Sequence, residues 1–254
     1  MIYEGKDGHP GPALSIADIM ATLYFDIMHV DPDHPDDPDR DRFILSKGHA
    51  CPIYYATLNE RGFLKPKVQD YRLRALDSIF QGHPSMHSGV PGIDMTSGSL
   101  GNGIAIGAGM AVAAKAHKKD FYTYVICGDG ELQEGIIWEG ANVATGQKLD
   151  NLVVFIDKNN WQSYKSVEFT VGLNNVAERF RAFGWDTQEI DGHDVDAIKA
   201  AVAKAKRVVG RPHAIVCDCV KGYGLSYMAD NNAWHKGVPT DEEWAIAKSE
   251  LGGE

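Results

Sequence analysis

At 254 residues the chain has enough material for one large α/β domain with a substantial core. A hydrophobic fraction of 44% beside 24% charged residues is that of an ordinary globular protein, and no stretch approaches the roughly 20 apolar residues of a membrane span. The formal net charge of −10 argues against nucleic-acid binding, and four cysteines (Cys51, Cys127, Cys217, Cys219) without a CxxC pair argue for a reducing compartment, the cytoplasm.

From the amino end, the start MIYEGKDGHP lacks the apolar run of a leader. Residues 15–29 read as an amphipathic helix, with Ser15 as N-cap and Asp18 in its first turn. The acidic, proline-broken stretch 31–42 (DPDHPDDPDRDR) is a surface loop, and 54–61 is a second helix. Beyond residue 100 helical and strand patterns alternate. Helices are expected over 104–118, 135–148, 176–183 and 195–208, and from 241 to about 252. Buried strands are expected over 124–127 (YVIC), 152–157 (LVVFID) and 214–220 (AIVCDCV), with a more amphipathic one over 185–190. This alternation predicts a doubly wound, mostly parallel α/β sheet of five or six strands with helices on both faces. No repeat or linker interrupts the chain. A single domain over 1–254 is expected, its helical and loop part at 1–100 and its α/β core at 101–254.

Two predicted strands end in residues that carry chemistry. Gly128-Asp129-Gly130 follows the first, Asn159-Asn160 follows the second, and 28 residues separate them. That is enough for one crossover helix, so the two strand tips can be neighbours at the carboxyl edge, where open α/β sheets bind ligands. Glycines let the backbone approach a phosphate while one carboxylate projects beyond the sheet. A hard cation such as Mg²⁺ wants oxygen ligands, several of them from phosphate. Asp129 offers charge, the Asn159 amide offers a neutral oxygen, and a carbonyl in the next turn offers a third. Each dipeptide alone is an ordinary turn; at this spacing, a diphosphate–metal site is the stronger reading. Lys221, after the last strand, can reach a phosphate from the same edge, or it can be a solvated strand-end lysine. Gly101-Asn102-Gly103 with Gly107 and Gly109 imitates a dinucleotide fingerprint, but Gly107 lies one place late and no strand precedes it. Close helix packing behind a tight entry turn accounts for it.

Residues 128–160 (GDGELQEG … FIDKNN) resemble the thiamine-diphosphate motif of the transketolases. Five further blocks fall in the family's order and spacing: GHPGPALS from Gly8, LSKGH from Leu45, GHP from Gly82, TSGSLGNG from Thr96 and WHKGVP from Trp234. The resemblance implies Asp129 and Asn159 as side-chain ligands of Mg²⁺ (or Ca²⁺ or Mn²⁺), with the Trp161 carbonyl as a third. It implies that Gly128 and Gly130 lie against the diphosphate, and that Gly98, Ser99 and Leu100 line the thiazolium and aminopyrimidine. His9, His49, His83 and His235 match the family's active-site histidines, which handle diphosphate, substrate hydroxyls and proton transfers; His49 and His235 also touch the cofactor. Such chemistry on polyhydroxylated sugars suits imidazoles, which give and take protons near neutrality. Glu134 resembles a glutamate linking the two halves of the site at the subunit interface. Lys221 resembles a lysine of the deoxyxylulose-phosphate synthases.

The implied activity is transfer of a two-carbon ketol unit from a ketose to an aldose. The glutamate that activates the aminopyrimidine belongs to a second, pyrimidine-binding domain, and the chain ends at Glu254 before such a domain. The expectation is therefore a split transketolase that acts on sugar phosphates. A separately encoded pyrimidine-binding subunit would complete it in an α2β2 assembly. Only eight residues precede His9, where the family usually carries a helix of about a dozen or more, so a truncated start or a lost helix is expected. Competing readings are a deoxyxylulose-phosphate synthase-like half, a transketolase for an unusual sugar (apulose phosphate or a sulfosugar), and a non-catalytic scaffold.

Overall fold

The computed structural model describes residues 1–64 and 72–252, which leaves the expected domain's 65–71 and 253–254 outside the described residues. Short helices open the chain: α1 (Ile2–Gly5), α2 (Pro10–Leu14) and α3 (Ala17–Thr22), the last running into a π-helical turn at Leu23–Ile27. Then come β1 (Arg42–Leu45), α4 (Cys51–Arg61), α5 (Asn102–Ala116), β2 (Thr123–Gly128), α6 (Gly135–Gly146) and β3 (Leu152–Lys158). The chain continues through α7 (Val167–Val171), α8 (Val176–Ala182), β4 (Asp186–Asp191), α9 (Val195–Ala205), β5 (His213–Asp218) and α10 (Asp241–Glu250). The five strands pair in the order β1-β2-β3-β5-β4, every pair parallel. The last strand in sequence thus inserts between β3 and β4.

Side chains alternate across this sheet and bury both faces. Tyr124, Ile126, Val153, Phe155, Ile215 and Cys217 pack with Leu23, Tyr54 and Ile198 on one side. Val125, Cys127, Val154, Ile156, Ala214 and Val216 pack with Ile104, Ala141, Phe180 and Trp185 on the other. Burial on both faces is why these strands read as unbroken apolar runs. No helix among the described residues is long and apolar enough to cross a membrane.

Two expectations are corrected. Residues 15–29 do not form one helix capped by Ser15. Pro10 stands at the first position of α2, where its fixed φ and missing N–H are harmless, so the helix begins earlier. Ser15 instead ends α2, and its fully buried hydroxyl donates to Asp157 Oδ1 at 2.6 Å. The first hundred residues are also not only helix and loop, because β1 pairs with β2 in register Arg42↔Thr123 to Leu45↔Ile126. Four residues are too few to show a period. The glycine run at 101–109 does serve packing. Gly101 turns at φ 85°, and a Cβ at Gly107 would lie 2.8 Å from Val125 Cγ2.

Candidate functional site

All the parallel strands point their carboxyl ends the same way, so the residues after β1, β2, β3 and β5 converge on one edge. There they line a cavity of about 760 Å³, within the range of small-molecule and cofactor sites. Its floor holds Lys47, Gly128, Asp129, Gly130 and Asn159; His9, His49, His235 and Lys221 form one wall, and Leu100, Glu134 and Trp161 lie around it. Every sequence-predicted site residue except three lines this space. His83, Gly98 and Ser99 form its shoulder: a Cβ on Gly98 would sit 3.4 Å from His83 Cγ, and one on Gly48 would sit 3.2 Å from His83 Cδ2.

Asp129 is 3% exposed. Its Oδ1 accepts from the Gly130 amide at 2.7 Å and its Oδ2 from the Asn160 amide at 2.5 Å. Among the described residues no cationic side chain forms an ion pair with it. Burial, and then the neighbouring negative charge of Asp157, push its carboxyl up to about 7. Asn159, beside it, accepts from the Trp161 amide through Oδ1 at 3.0 Å. A cation is the partner this arrangement suits. A desolvated carboxylate, an amide oxygen and the Trp161 carbonyl in one turn are a hard-cation donor set, completed by phosphate and water oxygens. The residues fit the group.

The histidine rings form a near-equilateral triangle. His9 and His49 centroids are 5.2 Å apart, His49 and His235 5.2 Å, and His9 and His235 5.4 Å. Burial, then the charges of Arg74 and Lys236, lowers His9 to about 4; burial and the Lys221 ammonium lower His235 to about 3. His49 is also held well below its usual value, by burial and by Lys47. At neutral pH all three are uncharged; His9 and His49 can accept a proton or a hydroxyl hydrogen bond, whereas the acceptor nitrogen of His235 is taken by Lys221. This has a measurable consequence. A histidine whose folded pKa is depressed takes up its proton first in the unfolded chain, so stability is full above about 6.5 and falls as pH drops toward 4. Thermal melts from pH 7 to 4.5 are expected to show a steeper decline for the native chain than for a His9→Asn/His235→Asn variant. Parallel curves would show that these rings titrate normally.

Lys221 is not a solvated strand-end lysine. It is 1% exposed, and its ammonium donates to Asn232 Oδ1 at 2.8 Å, to His235 Nδ1 at 2.9 Å and to the Gln162 carbonyl at 3.1 Å. Burial, then the Lys47 charge, lowers its pKa to about 7. The apolar strand ends at Asp218, and the chain then folds inward against α2, where Gly222 N donates to Gly11 O at 3.1 Å.

Sequence reasoning missed several partners. Lys47, inside the LSKGH block, is buried and forms an ion pair with Asp157. Glu131, inside GDGELQEG, is buried and accepts from the Ser46 hydroxyl, the Gly101 amide at 2.6 Å and the Gly128 amide at 3.0 Å. One carboxylate thus ties the ends of β1 and β2 to the turn that starts α5. A charge at the edge of an apolar run was the available signal in both cases.

The whole chain, residues 1–254, matches the family model "Transketolase, thiamine diphosphate binding domain". It is 42% identical over 251 residues to an apulose-4-phosphate transketolase subunit from Phocaeicola vulgatus, covering 99% of this chain and 88% of that protein. It is 41% identical over 244 residues to 6-deoxy-6-sulfo-D-fructose transketolase subunit SqwG of Clostridium sp. strain MSTE9, covering 96% and 88%. Among solved structures, the transketolase from Leishmania mexicana superposes with a TM-score of 0.93 at 32% identity, over 100% of this chain and 39% of that one. The chain therefore spans about two-fifths of that full-length enzyme.

Proposed function

Because the chain belongs to the transketolase family as a thiamine-diphosphate-binding domain, we propose that it is the diphosphate-binding subunit of a split transketolase, moving a two-carbon ketol unit from a ketose to an aldose. The observation that carries this reading is the convergence of Asp129, Asn159 and Lys221 with three neutral histidines on one cavity at the carboxyl edge. Asp129, the Asn159 amide oxygen and the Trp161 carbonyl would hold Mg²⁺ (or Ca²⁺ or Mn²⁺). Gly128, Gly130, Lys221 and His235 would receive the diphosphate. Lys47 also lines this space, its ammonium held by Asp157 and the Pro12 carbonyl. Gly98, Ser99 and Leu100 would border the rings.

Bound thiamine diphosphate supplies the electron sink that lets a carbon–carbon bond break and re-form. The chain's own part is to bind, orient and move protons. His9 and His49, unprotonated and 5.2 Å apart, can take a hydroxyl proton from a sugar and return it. His235 accepts from Lys221 at Nδ1, so its proton is on Nε2, which donates to the Ser163 hydroxyl 3.2 Å away; that N–H is what His235 would offer a substrate or diphosphate oxygen. His83, on the shoulder, would meet the sugar farther out. Glu134 is exposed at the cavity wall, where it can bridge to a second chain.

The second chain would be a pyrimidine-binding subunit, and an α2β2 assembly would place two complete sites at its interfaces. Relatives named for apulose 4-phosphate and a sulfofructose support a substrate that is an unusual sugar phosphate or sulfonate. Reconstitution tests the reading. With thiamine diphosphate, Mg²⁺ and ketose and aldose pairs, the purified chain should show no turnover, and adding its partner subunit should restore it. Turnover by this chain alone would refute the split site; no metal-dependent cofactor binding with the partner present would favour a scaffold.

A further inference from the structure

Asp157, near the end of β3, is fully buried and does not line the cavity, yet three donors converge on its carboxylate. Ser15 Oγ donates to Oδ1 at 2.6 Å; Lys47 Nζ and, at 2.8 Å, Asn159 Nδ2 donate to Oδ2. Lys47 also donates to the Pro12 carbonyl at 3.1 Å. Taking an ammonium and a carboxylate out of water together is often no more stabilising than packing two apolar side chains there. The pair's geometry offers a different role.

An asparagine amide has nearly the same shape in its two flipped states, but one end accepts and the other donates. Asp157 can only accept from Asn159, so it selects the flip with Nδ2 inward. The inward Nδ2 also lies 3.4 Å from Ser15 Oγ. The oxygen is thereby turned outward, where the Trp161 amide occupies one lone pair at 3.0 Å and the other is left for a cation. Without this acceptor, the opposite flip would present an NH₂ group to the cation. We infer that Asp157 is a positioning residue that sets the Asn159 amide oxygen-first toward the metal, with Ser15 fixing the carboxylate and Lys47 balancing its charge. The inference rests on the metal-site reading above.

The test is a Mn²⁺ titration, followed by electron paramagnetic resonance, of the chain together with its partner, thiamine diphosphate being held constant. Two variants are compared with the native protein. Asp157→Leu keeps about the same size and removes every acceptor, so the amide register is no longer imposed. Ser15→Ala removes only the outer support and leaves both charges. Half-saturation by Mn²⁺ is expected to rise about 10- to 100-fold in Asp157→Leu and several-fold in Ser15→Ala, the range for outer-shell partners of a metal. The metal-free Ser15→Ala chain, which loses one buried hydrogen bond, should melt a few degrees lower yet stay folded at the titration temperature, so its rise in half-saturation reads positioning and not unfolding. If Asp157→Leu does not fold, Ser15→Ala decides alone. Half-saturation within twofold of native in every folded variant overturns the inference. No metal-dependent binding by the native assembly overturns the metal-site reading itself.

Discussion

Replacing Asp129 by asparagine is expected to weaken metal-dependent thiamine diphosphate binding by about 100- to 1,000-fold, more than the roughly 10–100-fold of an outer-shell change. The side chain keeps its size, so the fold should persist; what goes is the Asp129 charge at the cation position. The ligand-free native site is under electrostatic load, because burial and Asp157 hold the Asp129 carboxyl up at about 7. A metal ion must therefore displace a proton below that pH. Cofactor binding should strengthen as pH rises through about 7 and level off above it, and this slope should vanish in Asp129→Asn. Calorimetric titration with Mg²⁺ and thiamine diphosphate from pH 6 to 8.5, partner present, reads both effects. A variant within tenfold of native affinity would place the cation elsewhere.

That site was readable because its chemistry sits at strand ends. An apolar run that stops at Gly-Asp-Gly or Asn-Asn announces both the sheet edge and the groups it presents, and the spacing sets the strands side by side. The helices after residue 100 were readable for a related reason: α5, α6 and α9 are long enough to show a period, and they start and stop within a few residues of expectation. β1 was not, since four residues following an acidic loop carry no alternation of their own and are defined by their neighbour β2.

Buried polar partners were illegible for another physical reason. Ser15 looks like a helix cap to anything that sees only its flanking residues, but its hydroxyl is claimed by Asp157 from 142 positions away. Lys221 looks like a solvated cation beyond a strand, yet it is sealed under a turn that returns from residues 231–235. Local propensity weighs a side chain against water and its neighbours; here long-range partners outweigh it. Lys47 and Glu131 lay inside the very blocks that identified the family, and only the packed structure shows that each has a carboxylate or amides to hold.

The turn that buries Lys221 gives the second large effect. Gly222 adopts φ 77°, and a Cβ there would stand 2.5 Å from the Met228 carbonyl oxygen, a backbone atom that cannot swing aside. Its amide also anchors this turn to Gly11 at 3.1 Å. Gly222→Ala thus combines left-handed strain with overpacking, together about 3–4 kcal/mol. At about 2–4 °C per kcal/mol for a chain of this size, melting should fall by roughly 10 °C. The strain is next to Lys221, so cofactor affinity should fall at least about tenfold even where the variant remains folded, because the ammonium can no longer meet His235 Nδ1 at its 2.9 Å spacing. Gly109→Ala is the counterpart. That position is inside α5 with open space around it, so alanine should raise melting by the roughly 1 kcal/mol of helix propensity and leave binding unchanged. If Gly222→Ala melts within about 2 °C of native and binds cofactor equally well, the turn is not what holds Lys221 in the site, and the ammonium's burial would have to come from the packing of residues 231–235 alone.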